Sequence, residues 1–230
     1  MIENLVIIPY RNRKKHLDYF IKHTWPLMEK NVKNPFLLIV EQDDDNKLFN
    51  RGKLLNVGVD LYRDNTEFII THDVDINPYK CFLNFYNKKL EKNTVYNIFG
   101  SPCKTLGGIT KIKTSDMHEL NGFTNEYYGW GCEDRSLYNR AIYFNKKIIH
   151  GIFSNDKVVN YYLHRFNDVN DRKKSSIFFS ITDFEYNKFN KLSNKEKKEH
   201  IFKSGLNNIN YTIKQRKCLG YNIEHIIVQI

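Results

Sequence analysis

Short runs of apolar residues, many of them β-branched, recur along the chain and indicate buried strands. The clearest runs are residues 5–8, 36–40, 68–71, 95–99, 148–153, 158–163 and 223–228, with shorter candidates opening at Gly107 and at 211–214. The polar stretch 165–176 predicts a loop.

Apolar residues at helical spacing fill the intervals between these strands. One predicted helix is disturbed at Pro26, a second begins at Arg51, and a third contains Leu137. Ser193 and Glu196 have the spacing of a capping box and open a lysine-rich helix. Strands that alternate with helices predict an α/β architecture, and 230 residues fit a single domain.

The composition predicts a globular chain with anionic partners. Hydrophobic residues make up 41% of the chain and aromatic residues 14%, which favours a packed core over disorder. The net charge of +10 suits phosphate-bearing ligands or acidic lipids, whereas lysines scattered over solvated helix faces do not favour nucleic acid. The four cysteines lack CxxC and zinc-finger spacing, which predicts free thiols. The sequence contains no signal peptide and no run of about 20 apolar residues, so it predicts a cytoplasmic protein.

Charged residues follow two of the predicted strands. Arg11 and Arg13 come after the first strand, and Asp73 and Asp75 come after the third. Open α/β sheets bind ligands at the carboxyl ends of their strands. Arginine suits phosphate, and paired carboxylates can hold a hard cation. Arg51 fits either a phosphate contact or an exposed helix start.

The stretch 121–135 combines glycines, aromatic residues and the pair Glu133–Asp134. Aromatic rings offer flat faces to ring-shaped ligands, and a carboxylate can serve as a general base. The same stretch also fits a glycine-rich turn before a helix, where carboxylates favour the first turn. His164, at a predicted strand end, fits either a metal ligand or a structural histidine.

Several segments together resemble, in order, the motifs of the β-1,4-galactosyltransferase type of glycosyltransferase family 7, which has a GT-A fold. The segments are Ile-Ile-Pro-Tyr-Arg-Asn-Arg at 7–13, Phe-Asn-Arg-Gly-Lys-Leu-Leu-Asn-Val-Gly at 49–58, Asp-Val-Asp at 73–75, Gly-Gly at 107–108 with Asn-Gly-Phe at 121–123, Gly-Trp-Gly-Cys-Glu-Asp at 129–134, and Ser-Gly-Leu-Asn-Asn at 204–208. The resemblance implies a Rossmann-like mixed sheet flanked by helices in a single domain. Residues 1–100 would mainly bind the nucleotide sugar, and residues 101–230 would mainly bind the acceptor and carry the catalytic groups.

The resemblance also implies residue roles. Nucleotide-sugar contacts are expected from Pro9, Tyr10, Arg11, Arg13, Phe49, Arg51, Val74, Asp75, Trp130 and Glu133. Acceptor contacts are expected from Cys132, Glu133, Asp134 and Arg135, with Asp134 as the catalytic base. Asp75 and His164 would bind Mn²⁺ or another divalent cation.

Some positions depart from the family pattern. Arg135 stands where an acidic residue is usual, which makes an anionic acceptor compatible with the site. Cys132 replaces a glycine or a larger residue, and Tyr161 occupies a position where members have methionine as a metal ligand. Tyr10 replaces phenylalanine. Thr105 is smaller than the tyrosine of galactosyl-selective members, so a 2-acetamido sugar would fit.

These observations predict a metal-dependent inverting glycosyltransferase. It would move galactose or an N-acetylhexosamine from a UDP-sugar to a glycan hydroxyl and form a β-linkage. The positive charge is compatible with peripheral association with a membrane-borne acceptor. Two alternatives stay open: a phosphohydrolase or phosphotransferase built on Asp73–Val74–Asp75, and a non-catalytic basic binding module.

Overall fold

A computed structural model describes residues 1–166 and 174–230. Its strands are β1 (Ile2–Tyr10), β2 (Pro35–Gln42), β3 (Thr66–His72), β4 (Ile76–Pro78), β5 (Thr94–Gly100), β6 (Ile109–Lys113), β7 (Lys147–Phe153), β8 (Leu163–Arg165), β9 (Thr212–Gly220) and β10 (Ile223–Gln229). Its α-helices are α1 (Lys14–Tyr19), α2 (Trp25–Asn31), α3 (Arg51–Leu61), α4 (Thr114–Glu119), α5 (Glu133–Tyr143), α6 (Val159–Tyr162), α7 (Phe178–Asp183) and α8 (Asn194–Lys203).

Eight strands form one mixed sheet in the order β7-β5-β6-β3-β1-β2-β10-β9. The four strands β3, β1, β2 and β10 run parallel, while β6 and β9 pair antiparallel with their neighbours. A separate two-stranded ladder joins β4 to β8. The predicted α/β architecture, a mixed sheet flanked by helices in a single domain, is confirmed.

The centre of the sheet is buried on both faces because parallel strands are covered by helices on either side. Along β1, Val6 and Ile8 belong to one apolar cluster, whereas Leu5 and Ile7 belong to a second cluster on the opposite face. All four side chains are fully buried, and such burial contributes about 1.5–3 kcal/mol for each residue. This continuous apolar run is the reason that the sequence identified the strand.

The first helical path is irregular just before Pro26, close to the predicted disturbance, but it does not end there. A π-helical turn, Phe20–Thr24, connects α1 to α2, and Pro26 lies in the first turn of α2. The missing amide hydrogen of proline costs no hydrogen bond in a first turn. The helical path therefore continues to Asn31.

The predicted strand over residues 158–163 is wrong for most of its length. Residues Val159–Tyr162 form the short helix α6, and only Leu163 begins a strand. The ring of Tyr162 packs against Phe82 and Phe85 of a 3₁₀ segment, Lys80–Asn87. This packing overrides the β-propensity of the β-branched and aromatic residues.

Other local predictions have mixed outcomes. The capping box of Ser193 and Glu196 is present at the start of α8. The predicted loop 165–176 lies partly outside the described residues, because 167–173 are not described. The four cysteines are free thiols, as predicted. In the described ranges, no helix is long and apolar enough to cross a membrane.

Candidate active site

A cavity of about 470 Å³ opens beside the carboxyl ends of β1 and β3. Several parts of the sequence form its wall: residues after β1, the start of α3, residues after β3, the segment between β5 and β6, and the loop that leads into α5. The predicted site residues on this wall are Pro9, Arg11, Arg13, Phe49, Arg51, Val74, Asp75, Thr105, Trp130, Glu133 and Asp134. Position at strand ends, which the sequence identified, places Arg11, Arg13 and Asp75 on this wall.

Arg51, at the first turn of α3, links the two acidic segments of the cavity. Its Nε donates a hydrogen bond to Asp73 Oδ1 at 2.8 Å, and its Nη1 lies 3.5 Å from Glu133 Oε1. Burial opposes the charged form, but Asp73 and Glu133 outweigh it and raise the pKa of Arg51. Although Nη2 lies 2.8 Å from Asp73 Oδ1, neither Nη1 nor Nη2 makes a hydrogen bond of good geometry to any described residue.

A buried histidine, His72, holds the backbone of Asp73. His72 Nδ1 donates to the Asp73 carbonyl at 2.9 Å, and its Nε2 accepts from the Tyr86 hydroxyl at 2.8 Å. Burial lowers the pKa of His72 to about 4, so the ring is neutral near pH 7. A neutral ring with one donor and one acceptor nitrogen matches both partners.

Asp75 and His164 lie near each other on the ladder of β4 and β8. Asn77 pairs with His164, and the Phe166 amide donates to the Asp75 carbonyl at 3.0 Å. Asp75 and His164 therefore occupy diagonal positions on one face of the ladder. Arg13 Nη1 lies 3.8 Å from Asp75 Oδ2.

The donor atoms on this ladder fit a divalent cation. His164 Nδ1 is buried and has no hydrogen-bond partner among the residues with described positions. A carboxylate oxygen and an imidazole nitrogen are both ligands of first-row divalent metals. Within 1–166 and 174–230, no group of three or more His, Cys, Asp or Glu residues could hold a metal. Tyr161 is 76% exposed on α6. If Asp75 and His164 were the two protein ligands of a cation, its remaining coordination positions would be left to ligand oxygens or water.

Glu133 and Asp134 form the first turn of α5, where the helix dipole favours negative charge. The Asp134 Oδ1 atom accepts a hydrogen bond from the Arg135 amide at 2.8 Å, which orients the carboxylate. Burial raises the pKa of Asp134, while nearby Arg51 opposes the rise. Burial and Asp134 together raise the pKa of Glu133 to about 7. Asp134 is thus an oriented carboxylate with increased basicity.

Aromatic and apolar groups complete the wall. The guanidinium carbon of Arg11 lies 5.7 Å from the ring centroid of Phe49. Trp130 is 44% exposed and stacks on Phe178, with ring centroids 5.8 Å apart. Thr105 is buried, and its hydroxyl has no hydrogen-bond partner in the described part of the chain. The wall therefore offers both flat faces and polar atoms to a ligand.

Three predicted contact residues do not line the cavity. Tyr10 alternates to the opposite side of β1 from Pro9 and packs edge-on against His225. Cys132 is buried, with its Sγ 3.3 Å from Thr182 Oγ1.

Arg135 is also buried, behind the cavity wall. Its Nη1 donates to the Lys104 carbonyl at 3.0 Å and its Nε to the Glu185 carbonyl at 3.3 Å. Its guanidinium lies over the ring of Tyr186 at 4.5 Å. The expected direct contact of Arg135 with an anionic acceptor therefore does not agree with its placement.

Sequence reasoning missed two side chains, those of Asn56 and Arg140, that hold the backbone of residues 121–123. Asn56 donates to the Phe123 carbonyl and accepts from the Phe123 amide, both at 2.8 Å. Buried Arg140 donates to the carbonyls of Asn121, Gly122 and Ser204. Asn56 lies within segment 49–58, so its presence in a matched motif was the available signal. Nothing in the local pattern around Arg140 indicated its contacts.

Two family models match the chain. One, described as the N-terminal region of glycosyl transferase group 7, matches residues 2–87. The other, described as the N-terminal domain of galactosyltransferase, matches residues 91–164. Together they cover well over half of the chain.

Curated relatives carry galactosyltransferase names. Beta-1,4-galactosyltransferase 4 of Cricetulus griseus is 38% identical over 153 residues, which cover 62% of this chain and 43% of the relative. Beta-1,4-galactosyltransferase 1 of Homo sapiens is 30% identical over 149 residues, which cover 60% of this chain and 36% of the relative. The chain thus matches less than half the length of these curated relatives.

Solved structures share the fold. A mutant of Drosophila β1,4-galactosyltransferase 7, in complex with manganese, UDP-Gal and xylobiose, superposes with a TM-score of 0.76 at 20% identity. The match covers all of this chain and 94% of that one. A mannosyltransferase from Pyrobaculum calidifontis has a TM-score of 0.51 at 12% identity, over 64% of this chain and 54% of that one. The predicted GT-A-type fold is therefore confirmed, and with the two matching family models the chain belongs to the glycosyl transferase group 7 family.

Proposed function

We propose that the chain is a metal-dependent inverting glycosyltransferase. It transfers galactose or an N-acetylhexosamine from a UDP-sugar to a hydroxyl of a glycan acceptor and forms a β-linkage. One observation carries this proposal: a single cavity contains the arginines Arg11, Arg13 and Arg51 together with the carboxylates Asp75 and Asp134. The names of the relatives, and the manganese and UDP-Gal bound by the Drosophila enzyme, support it.

The arginines suit the diphosphate of the donor. Arg11 and Arg13 extend from the end of β1 on the same cavity wall as Arg51. The buried Nη atoms of Arg51 have no well-formed hydrogen bond to described residues, so they can donate to phosphate oxygens. Phe49 and Pro9 supply apolar surface for the uracil ring on the same side. We assign residues 1–100 mainly to donor binding for this reason, and 101–230 mainly to the acceptor and the catalytic groups.

Asp75 and His164 would hold Mn²⁺ or a similar divalent cation. A bound cation supplies positive charge that stabilises the diphosphate leaving group. The orphaned His164 Nδ1 and the position of Asp75 on the same face of the ladder support this assignment. Arg13, 3.8 Å from Asp75, adds positive charge on the same side of the cavity.

Asp134 is the base of the proposed reaction. The acceptor hydroxyl loses its proton to a carboxylate oxygen while the hydroxyl oxygen attacks the anomeric carbon and the UDP leaves. The Arg135 amide holds Asp134 Oδ1 at 2.8 Å, which leaves Oδ2 to receive the proton. A single displacement inverts the anomeric configuration, so an α-linked donor gives a β-linked product. Glu133 and Trp130 line the adjacent wall and would contact the sugars.

The alternative functions explain less of the cavity. A phosphotransferase built on the Asp73–Val74–Asp75 motif would require a free Asp73 carboxylate, whereas Arg51 Nε binds Asp73 Oδ1 at 2.8 Å. A binding module would not require Asp134. Neither alternative is favoured for a member of glycosyl transferase group 7. Cytoplasmic location, a lack of nucleic-acid partners and peripheral membrane association stay predictions from the sequence.

The test is donor binding. Thermal unfolding is measured with a panel of UDP-sugars, each with Mn²⁺ or with EDTA, because a ligand of the folded state raises the midpoint. We expect UDP-galactose or a UDP-N-acetylhexosamine to stabilise the protein only with Mn²⁺. Asp75→Ala removes this stabilisation, whereas Asp64→Ala, at an exposed carboxylate in the turn before β3, retains it. Equal stabilisation of Asp75→Ala and wild type by Mn²⁺ and donor contradicts the proposal.

A further inference from the structure

An exposed aromatic surface continues outward from the cavity wall. Trp130 lines the cavity and stacks on Phe178 with an interplanar angle of 25°. Phe178 in turn meets Phe179 edge-on, with centroids 5.5 Å apart, and Phe179 is 77% exposed. We call these three residues the aromatic shelf. An exposed aromatic group of this size beside a cavity indicates a binding surface.

A cation lies within the shelf. The Lys174 ammonium is 4.4 Å from the ring centroid of Phe178, 5.7 Å from that of Phe179 and 5.6 Å from that of Trp130. Cation–π attraction holds it there. The shelf therefore presents an apolar face on Phe179 and a positive charge within a few ångströms of it.

The shelf is firmly attached to the loop that precedes the proposed base. A Cβ atom on Gly131 would lie 2.8 Å from a ring carbon of Phe178, which shows how closely loop and helix α7 pack. One turn further along α7, Thr182 Oγ1 lies 3.3 Å from Cys132 Sγ. Arg135 packs over Tyr186, one turn further along the chain from α7. These contacts fix the shelf relative to the cavity.

We propose that the shelf is an acceptor subsite for a second saccharide ring that carries an anionic group. This inference rests on the proposed function, because the first acceptor ring must lie near Asp134. A chain of sugars leaving the cavity along Trp130 meets Phe179 next, and the apolar C–H face of a pyranose packs on an aromatic ring. A carboxylate or phosphate on that ring pairs with Lys174. Phe178, Phe179 and Lys174 lie beyond the residues that the family models match.

The experiment compares three saccharides by calorimetry with saturating UDP and Mn²⁺. Chitobiose is neutral, a hyaluronan tetrasaccharide carries carboxylates, and chitobiose 6-phosphate carries a phosphate. We expect at least one acidic saccharide to bind wild type about threefold or more tighter than chitobiose, in a salt-sensitive manner. The acidic saccharide that binds more tightly identifies the anionic group.

Two variants locate the binding. Phe179→Ala should weaken binding of all saccharides about fivefold, since an aromatic contact is lost. Lys174→Gln should weaken only the acidic saccharides, about two- to fivefold. The matched controls are Tyr221→Ala, a fully exposed aromatic in the turn after β9, and Lys195→Gln, an exposed lysine on α8. Both controls should bind like wild type.

The outcomes separate this inference from the proposed function. If Phe179→Ala binds every saccharide as Tyr221→Ala does, the shelf is not a subsite. If UDP and Mn²⁺ bind but none of the three saccharides does, the inference also fails while the donor site stands. If UDP and Mn²⁺ do not stabilise the wild-type protein, the proposed function fails, and with it the inference.

Discussion

Gly107 and Asp134 are packed so closely that a Cβ atom on Gly107 would lie 2.6 Å from Asp134 Oδ2. The Leu106 amide also donates to the Asp134 carbonyl at 3.1 Å. The segment before β6 thus packs directly against Asp134. The absence of a side chain at Gly107 allows the carboxylate to face the cavity.

Gly107→Ala should therefore displace the proposed base without removing it. Because the nearest atom is the end of a side chain, Asp134 can rotate away, and folding should be retained. We expect sugar transfer to fall at least tenfold while Kd for UDP with Mn²⁺ stays within twofold. The control is Gly220→Ala, whose Cβ would come no closer than 3.5 Å to Ile223. Equal transfer rates for the two variants would show that this contact does not orient the base.

Arg135 should affect stability rather than acceptor charge. Arg135→Met leaves the Lys104 carbonyl without this donor, removes one of two donors to the Glu185 carbonyl, which keeps Asn139, and removes the contact with Tyr186. We expect the free energy of unfolding, from urea titration, to fall by about 2–4 kcal/mol. The relative rates with neutral and anionic acceptors should not change. A change in these relative rates, with an unchanged free energy of unfolding, would instead support a direct contact between Arg135 and the acceptor.

Thr105 should influence the choice of donor sugar. It is buried on the cavity wall, and a larger side chain there would occupy space needed by a 2-acetamido group. We expect Thr105→Tyr to reduce the rate with UDP-N-acetylhexosamine, relative to UDP-galactose, at least tenfold. Thr105→Ser, which keeps the hydroxyl, serves as control. Comparable UDP-galactose turnover by wild type and Thr105→Tyr, with no N-acetylhexosamine use by either, would refute the prediction.

Glu133 should make stability depend on pH in the protein without metal or donor. Burial and Asp134 raise its pKa from an ordinary 4.5 to about 7 in the folded state. The folded protein therefore binds this proton more tightly than the unfolded chain, so stability decreases as pH rises from about 4.5 to 7. Glu133→Gln removes this loss. The free energy of unfolding of Glu133→Gln, relative to that of wild type, should therefore increase by on the order of 1–3 kcal/mol as pH rises across this range. A difference between the two proteins that stays constant from pH 5 to pH 8 would contradict this account.

Strand positions and the residues at strand ends could be predicted from the sequence. The apolar run of β1 and the charged residues after β1 and β3 follow simple rules, so Arg11, Arg13 and Asp75 were assigned to one edge of the sheet. Segment 49–58 was identified by its resemblance to the family. Its Arg51 proved to be the cation between Asp73 and Glu133.

Burial of polar side chains could not be predicted in this way. Arg135 follows Asp134 directly, yet the helical turn directs it into the interior toward Glu185. The wrong prediction of a strand over residues 158–163 has a similar origin, since contacts of Tyr162 with a distant segment outweighed the local β-propensity. The position of Phe178 beside Trp130 depends on how α7 packs against the loop at Gly131, which is a tertiary contact without a local signal.

The most direct test of the account is sugar transfer by Asp134→Asn. Asparagine keeps the shape of the side chain and can still accept the hydrogen bond from the Arg135 amide, but it cannot take a proton from the acceptor. We measure transfer from UDP-galactose or UDP-N-acetylhexosamine with Mn²⁺, beside UDP binding by the same sample. The account predicts that Asp134→Asn binds UDP with Mn²⁺ like wild type and transfers sugar about 10²–10⁴-fold more slowly. Transfer at the wild-type rate would contradict it.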